Sequence, residues 1–203
     1  MKIIAIGRNY AEHIKELNNE RPEEPVIFTK PDTAILRKNN PFYIPDYTKD
    51  VHYEVEVVIR IDREGKSVHP KFAHKYYSQI GLGIDFTARD IQAKAKEKGL
   101  PWDIAKGFNS SAPISDFYPK EEFGDLQNLD FSLEKNGEIV QQGNTSDMLW
   151  PIDEIIAYVS KFFVLKKGDL IFTGTPKGVG PVAIDDRLVG KIGDRVMFDF
   201  EIK

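Results

Sequence analysis

The stretch His52-Tyr53-Glu54-Val55-Glu56-Val57-Val58-Ile59-Arg60-Ile61-Asp62 carries the clearest strand pattern in this chain of 203 residues. Apolar side chains occupy every second position from Tyr53 to Ile61, which is the two-residue period of a β-strand. Glu54 and Glu56 fall between them and project together from the opposite face. The sequence therefore predicts a strand over 52–62 that carries two carboxylates side by side.

The next elements along the chain bring a third carboxylate into consideration. Residues 77–86 have the pattern of a second strand, and residues 87–98 have that of a helix. Thr87 and Asp90 stand at the spacing of a capping box, which is typical of a helix start. Asp85 is therefore expected at a strand-to-helix junction.

The rest of the chain is rich in short strands. Asn136-Gly137, a dipeptide preferred in two-residue turns, predicts a hairpin of strands over 130–135 and 138–142. The remaining elements predicted from periodicity are helices over 10–17 and 151–163 and strands over 2–7, 169–173 and 194–202. The fold class expected is α+β, mainly β, and the length predicts a single domain over residues 1–203.

Composition excludes several classes of function. A formal net charge of -4 provides no basic field for phosphates, so nucleic acid is not expected as a partner. The absence of cysteine excludes disulfides, zinc-thiolate sites and cysteine nucleophiles. No apolar run reaches the ~20 residues of a membrane span, so no membrane partner is expected and a cytoplasmic location is the prediction.

Glu54, Glu56 and Asp85 are the strongest candidates for chemistry. An oxygen-only ligand set suits a hard cation, and three carboxylates with open positions suit Mg²⁺ or Mn²⁺. The alternative is that alternating glutamates on a half-buried strand form a solvated face. Spacing alone leaves both interpretations open.

Three other features allow a functional and a structural interpretation. His13 and Glu16 lie three residues apart on a helix and can touch, as surface neighbours often do. The glycine-rich loop 173–181 lacks the helix of a phosphate loop; it either receives a carboxylate on its N–H groups or forms a plain turn. Lys106 is either a buried ammonium beside the acids or a solvated lysine.

Six motifs, in series from end to end, resemble the fumarylacetoacetate hydrolase family, and its short acylpyruvase/oxaloacetate decarboxylase branch in particular. The motifs are Gly7-Arg8-Asn9-Tyr10, Phe28-Thr29-Lys30-Pro31, His52 to Glu56, Asp85 to Asp90, Lys106-Gly107-Phe108 and Thr173 to Gly180. The resemblance implies the mixed β-sandwich or roll of that family's C-terminal domain, with a few short helices, and a homodimer.

The resemblance also implies roles for individual residues. Mg²⁺ or Mn²⁺ is bound by Glu54, Glu56 and Asp85, and His13 with Glu16 forms a water-activating dyad on a lid helix. Lys106 and Gln92 are implied to be catalytic residues. The residues implied to bind the substrate are Arg8, Arg89, Thr175 and Gly174. Lys106 and Arg89 then balance the charge of an anionic substrate.

The predicted function is cleavage of a carbon–carbon bond in a small 2-oxo acid, by acylpyruvate hydrolysis, oxaloacetate decarboxylation or both, through a pyruvate enolate. One alternative is an isomerase or decarboxylase of an unsaturated keto diacid from aromatic catabolism. Another, from a different class, is a non-catalytic β-rich binding module whose carboxylates lie on the surface.

Overall fold

A computed structural model describes residues 1–17 and 20–203. The helices are α1 (Ala11–Glu16), α2 (Pro70–Ala73), α3 (Arg89–Lys98), α4 (Asp103–Lys106) and α5 (Ile152–Phe162). The strands are β1 (Ile3–Gly7), β2 (Val26–Lys30), β3 (Ile35–Leu36), β4 (Val51–Tyr53), β5 (Val55–Ile61), β6 (Tyr77–Ile84), β7 (Thr87–Ala88), β8 (Ala112–Pro113), β9 (Tyr118–Pro119), β10 (Asp130–Lys135), β11 (Glu138–Asn144), β12 (Leu170–Phe172), β13 (Gly180–Pro181), β14 (Arg187–Ile192) and β15 (Arg195–Glu201).

Two larger sheets form the body of the protein. The first has the order β2-β1-β12-β5-β6-β9, and the second has the order β11-β10-β14-β15. Only the β1–β12 pair in the first sheet is parallel. Two small sheets, β13-β4-β7 and β3-β8, extend this frame. The predicted α+β fold, mainly β with a few short helices, is confirmed.

The main hydrophobic core lies between the two larger sheets and under α5. Inward side chains of both sheets and of the helix belong to one buried cluster; its members include Val57, Ile59, Leu82, Leu133, Leu188, Phe198, Ile155 and Val159. A second cluster, which includes Ile3, Val58 and Phe172, covers the other face of the six-stranded sheet. Both faces of β5 are covered around Glu56, so this side chain is enclosed by protein, whereas Arg60 near the end of the strand is exposed.

The strand predicted over 52–62 is interrupted at Glu54. β4 pairs with β13 and β7, whereas β5 pairs with β12 and β6, so the chain passes from a small sheet to the large one at this residue. The Val55 N–H donates to the side-chain oxygen of Gln141 at 2.9 Å. A strand change of this kind cannot be seen in the alternation of the side chains.

The helix predicted over 87–98 begins two residues later, at Arg89. Thr87 and Ala88 pair with β4 as a short strand, and the Thr87 hydroxyl is not a helix cap. The capping-box interpretation is therefore wrong, because Thr87 is used by the site described below. The other predicted helices and strands, including the hairpin around Asn136-Gly137, are confirmed to within two residues. Among the residues described, no helix has the length and apolar character needed to cross a membrane.

Candidate metal centre and pocket

The pairing of β5 with β6 brings the three predicted carboxylates together. Val55 stands opposite Ile84 in the ladder, so the residues that precede and follow them, Glu54 and Asp85, are neighbours. The Asp85 N–H donates to the Glu54 carbonyl oxygen at 2.8 Å and closes this corner. A carboxylate oxygen from each of Glu54, Glu56 and Asp85 lies within 4.8 Å of the other two.

All three carboxylates are enclosed. The exposed fractions are 5% for Glu54, 2% for Glu56 and 0% for Asp85. The alternative of a solvated face is therefore wrong, and so is the surface position that the binding-module interpretation required. Carboxylates buried together need positive charge close by, because isolated buried ions are strongly unfavourable.

Lys106, the last residue of α4, supplies part of that charge. Its ammonium donates to Glu54 Oε2 at 2.9 Å, to Asp85 Oδ2 at 2.6 Å and to Thr87 Oγ1 at 2.6 Å. Burial disfavours the charged amine, but Asp85 and Glu54 outweigh it and raise the pKa of Lys106 above its usual value. The sequence left two interpretations of Lys106 open, a buried ammonium and a solvated lysine. The structure shows the buried ammonium.

Lys30, at the end of β2, is a second buried ammonium that sequence reasoning did not assign. Its Nζ lies 2.6 Å from Asp85 Oδ1 and donates to the carbonyl oxygens of Phe86, Lys106 and Ser111. Burial, offset in part by Asp85, lowers the pKa of Lys30 from its usual value. The nitrogen is surrounded by oxygen acceptors, which suits an ammonium with three donors. Its position in Phe28-Thr29-Lys30-Pro31 was the available signal.

Glu54 and Glu56 differ in their surroundings although they are two residues apart. Burial would raise the pKa of Glu54, but the Lys106 ammonium and the Arg89 guanidinium, 2.6 Å from Oε1, hold it well below the usual value. Burial, with the negative charges of Asp85 and Glu54, raises the pKa of Glu56 well above the usual value. Within the described part of the chain, Glu56 makes no ion pair.

This imbalance fits a divalent cation. The carboxylate of Glu56 needs positive charge that the described side chains do not place against it, and hard oxygen donors are what Mg²⁺ and Mn²⁺ prefer. The ion pairs of Glu54 and Asp85 do not prevent this, because each carboxylate oxygen carries two lone pairs. The donor set present is thus the one that such an ion requires.

The glycine-rich loop contacts carboxylates of the chain itself. The Gly174 N–H donates to Glu56 Oε2 at 2.7 Å, and the Gly178 N–H donates to Glu16 Oε1 at 2.9 Å. Gly174 has φ +101°, and a Cβ there would meet the Cβ of Asn9 at 2.7 Å. The loop is therefore more than a plain turn, and Gly174 acts on the pocket through Glu56.

The predicted dyad stands on α1, at the mouth of the same pocket. His13 is buried, and its Nδ1 lies 3.1 Å from Glu16 Oε2. In a neutral imidazole, donation from Nδ1–H to this carboxylate leaves Nε2 as an acceptor. Asn9 anchors the start of the helix through hydrogen bonds with Thr173 and Trp150.

A single pocket joins these groups. Nine of the predicted site residues line it: Arg8, His13, Glu54, Glu56, Asp85, Arg89, Gln92, Lys106 and Thr175. Glu16 and Gly174 lie directly behind, in contact with His13 and Glu56. Gln92 accepts from Arg89 at 2.8 Å and holds the guanidinium against Glu54.

Gln141 on β11 is another residue that sequence reasoning missed. Its side-chain oxygen accepts from Val55, and its amide nitrogen donates to Thr175 Oγ1 at 2.9 Å and to the Pro176 carbonyl at 3.0 Å. The Gln141 side chain is buried and links strand β5, which carries Glu56, to the glycine-rich loop. A glutamine in a hairpin strand gives no such signal in sequence.

Comparison with known proteins agrees with this geometry. Residues 2–202 match the model of the fumarylacetoacetate (FAA) hydrolase C-terminal family. The chain is 46% identical over 188 residues to oxaloacetate tautomerase YcgM of Escherichia coli strain K12, covering 92% of this chain and 86% of that protein. It is 46% identical over 182 residues to the mitochondrial oxaloacetate decarboxylase of Dictyostelium discoideum, covering 89% and 84%.

A solved structure is also similar to this chain over its whole length. Fumarylpyruvate hydrolase from Pseudomonas aeruginosa, in complex with Mn²⁺ and pyruvate, superimposes with a TM-score of 0.94 at 34% identity, covering 100% of this chain and 89% of that one. These matches extend over nearly the whole sequence. The chain therefore belongs to the fumarylacetoacetate hydrolase family.

Proposed function

We propose that this protein is a Mg²⁺- or Mn²⁺-dependent enzyme that breaks a carbon–carbon bond in a small 2-oxo acid, by acylpyruvate hydrolysis, oxaloacetate decarboxylation or both. The observation that carries this proposal is the set of three buried carboxylates with oxygens within 4.8 Å of one another, at the base of a pocket lined by cations. Glu54, Glu56 and Asp85 would hold the ion. When bound, it would supply a Lewis acid that stabilises the negative charge of a pyruvate enolate.

The chain's own cations bind and orient the acid. Lys30, Lys106 and Arg89 already offset the formal charges of the three carboxylates. With a divalent ion bound, the site would therefore be net positive, which would favour an anionic substrate. Arg8 and Thr175 complete the wall that faces the substrate, and Gly174 holds Glu56 in place.

For acylpyruvates, the dyad on α1 supplies the base. Neutral His13 takes a proton from water at Nε2 while Glu16 accepts from Nδ1–H and fixes the ring. The hydroxide attacks the distal carbonyl, and the bond to C3 breaks to give a carboxylic acid and pyruvate enolate. Glu16 is itself held by the Gly178 N–H, which ties the dyad to the glycine-rich loop.

For oxaloacetate, no attacking water is required. Carbon dioxide leaves, and Lys106 delivers a proton to C3 of the enolate. Asp85 and Glu54 raise the pKa of Lys106, and a cation held by these carboxylates would weaken that effect and favour proton donation by Lys106. Keto–enol tautomerisation of oxaloacetate, the activity named for the Escherichia coli relative, moves a proton between C3 and the oxygen on C2 without cleavage of a carbon–carbon bond, and is the second candidate.

Metal titration with paired turnover assays tests the proposal. Mg²⁺ and Mn²⁺ binding is measured by calorimetry in the wild type, Glu54→Gln and Glu56→Gln, with the exposed Glu138→Gln as the matched control. Acetylpyruvate and oxaloacetate are assayed with each metal and with chelator. We expect both site variants to lose metal binding and roughly 10³-fold in kcat/KM, because metal catalysis contributes several kcal/mol. Unchanged affinity and rate in both variants would remove the assignment.

Three further statements remain proposals that accompany this function. Residues 1–203 form a single catalytic domain, the protein is a homodimer, and it acts in the cytoplasm. Truncation, sedimentation velocity and cell fractionation test them separately. A substrate panel tests the alternative of an unsaturated keto diacid. Efficient isomerisation of such a diacid, with little acylpyruvate turnover, would favour the alternative in aromatic catabolism.

A further inference from the structure

Helix α3 carries a row of polar side chains from the metal centre to the pocket mouth. Arg89, Gln92 and Lys96 are three and four residues apart and therefore share one face of the helix. All three line the pocket. Arg89 is bound to Glu54, whereas Lys96 lies at the exposed rim, about 10 Å further along the helix axis.

An aromatic wall separates the two charged ends of the pocket. The Lys106 ammonium lies 4.9 Å from the centroid of Phe28, and the Phe28 and Trp102 centroids are 6.0 Å apart. The Lys96 ammonium lies 5.5 Å from the centroid of Trp102. Contacts of this kind hold a cation over a ring face. The pocket therefore has a cation at each end and an apolar surface between them.

Lys96 is the cation that the proposed chemistry does not use. In the described part of the chain it forms no ion pair, so its charge is available to a ligand. Partial burial, together with the positive charges of Arg89 and Arg8, lowers the pKa of Lys96. An anion bound here would relieve that accumulation of like charge.

We propose that Lys96 is a specificity-determining residue that binds a second carboxylate, at the end of the substrate distal to its 2-oxo acid group. The inference rests on the proposed function, since that function places the 2-oxo acid at Glu54, Glu56 and Asp85. A lysine on a helix reaches back towards the N-terminus, so its ammonium comes closer to the metal centre than its Cα. The pocket then favours a 2-oxo dicarboxylate, with its carbon chain along Phe28 and Trp102.

Two unreactive ligands test the distal contact without turnover. 2-Oxoglutarate and 2-oxopentanoate have the same carbon chain and differ only in a terminal carboxylate or methyl group. Calorimetry measures both dissociation constants with the Mg²⁺-loaded wild type, Lys96→Met and Lys98→Met. Lys98 is a matched control because it also lies in the last turn of α3, is exposed and carries the same charge.

We expect the wild type and Lys98→Met to bind 2-oxoglutarate roughly tenfold or more tightly than 2-oxopentanoate, the size of a hydrogen bond to a charged group. Lys96→Met should bring that ratio close to one and leave Mg²⁺ affinity unchanged. A wild-type ratio near one, or an unchanged ratio in Lys96→Met, would overturn the inference.

Turnover of succinylpyruvate and butanoylpyruvate, which differ at the same end group, gives the kinetic form of the test. Lys96→Met should raise KM for succinylpyruvate and leave kcat and the constants for butanoylpyruvate nearly unchanged. Equal losses for both substrates would contradict a role in specificity. If the wild type cleaves neither an acylpyruvate nor oxaloacetate, the proposed function fails, whereas the calorimetric ratio still decides the role of Lys96.

Discussion

The two ends of the catalytic apparatus are built in different ways. The carboxylates and lysines at the base are nearly inaccessible, and each lysine contacts three or more oxygens. At the mouth, α1 has six residues, and Glu16, whose side chain is 31% exposed, joins it to the loop through a single N–H. Fixed charge therefore resides in the core, whereas the proposed base for water, His13, stands on the short lid helix α1. Variants at one end should leave the other intact.

The largest effect is expected when charge is removed from the buried end. Lys30→Met leaves the Asp85 carboxylate with one ammonium instead of two and removes a donor from three buried carbonyl oxygens. Removing one member of a buried ion pair costs about 3–5 kcal/mol. We expect a loss of that size in the free energy of unfolding, measured by urea denaturation without metal.

Lys191→Met is the matched control for this measurement. Its ammonium pairs with Glu134 on a partly exposed strand surface, so its removal should cost less than about 1 kcal/mol. If Lys30→Met were no more destabilising than Lys191→Met, Lys30 would not be an integral part of the buried centre.

The contrast between the two ends also explains what could be predicted from sequence. Simple periods placed Glu54, Glu56 and Asp85 on elements that a strand pair brings together, but spacing left a solvated face open, and the resemblance to the family implied their role as ligands. The roles of Lys30 and Gln141 were missed because they depend on contacts with segments more than 30 residues away, and the motif around Lys30 does not record those contacts. Residue type also gave no warning, since most lysines and glutamines are solvated.

Strand β14 shows the same limit in the fold. Inward positions alternate along Arg187–Ile192, but one of them is Gly190 rather than an apolar side chain. A Cβ at Gly190 would meet the ring of Phe198 at 2.3 Å, so the neighbouring strand fills that space. The alternation that identifies a strand was thus hidden by packing that only the folded structure reveals.

The second prediction separates the lid from the base. His13→Ala removes the proposed base for water, and general base catalysis contributes about 100- to 1000-fold, or about 3–4 kcal/mol. We expect a loss of that size in kcat for acetylpyruvate hydrolysis, with a much smaller change in oxaloacetate decarboxylation. Mg²⁺ affinity should not change, because His13 does not belong to the carboxylate set.

Exposed Lys15→Ala on the same helix is the control for disturbance of α1. Equal loss of both reactions in His13→Ala would count against water activation. Such a result would assign His13 to a step that hydrolysis and decarboxylation share.

The smallest effect expected is a change with pH in the stability of the metal-free protein. It tests whether Glu56 at the buried end needs the positive charge of an ion. The pKa of Glu56 is raised in the fold by burial and by Asp85 and Glu54, so the unfolded chain loses this proton at a lower pH. Its contribution to stability is thus full below the usual pKa and is lost as pH rises towards the folded value. Glu54, whose pKa is lowered, contributes stability above its usual pKa and loses it in acid, outside this window.

Glu56→Gln removes the titration while it keeps the side-chain size. Unfolding is measured in chelator from about pH 5 to about pH 8, a range above the usual glutamate pKa. We expect the variant to become more stable than the wild type as pH rises, by about 1 kcal/mol, because a buried amide replaces a buried charge. Excess Mg²⁺ should stabilise the wild type alone and reverse the order, since ligand binding to the folded state adds stability. A difference independent of pH would show that Glu56 is compensated without metal, and that the base of the pocket does not need the ion.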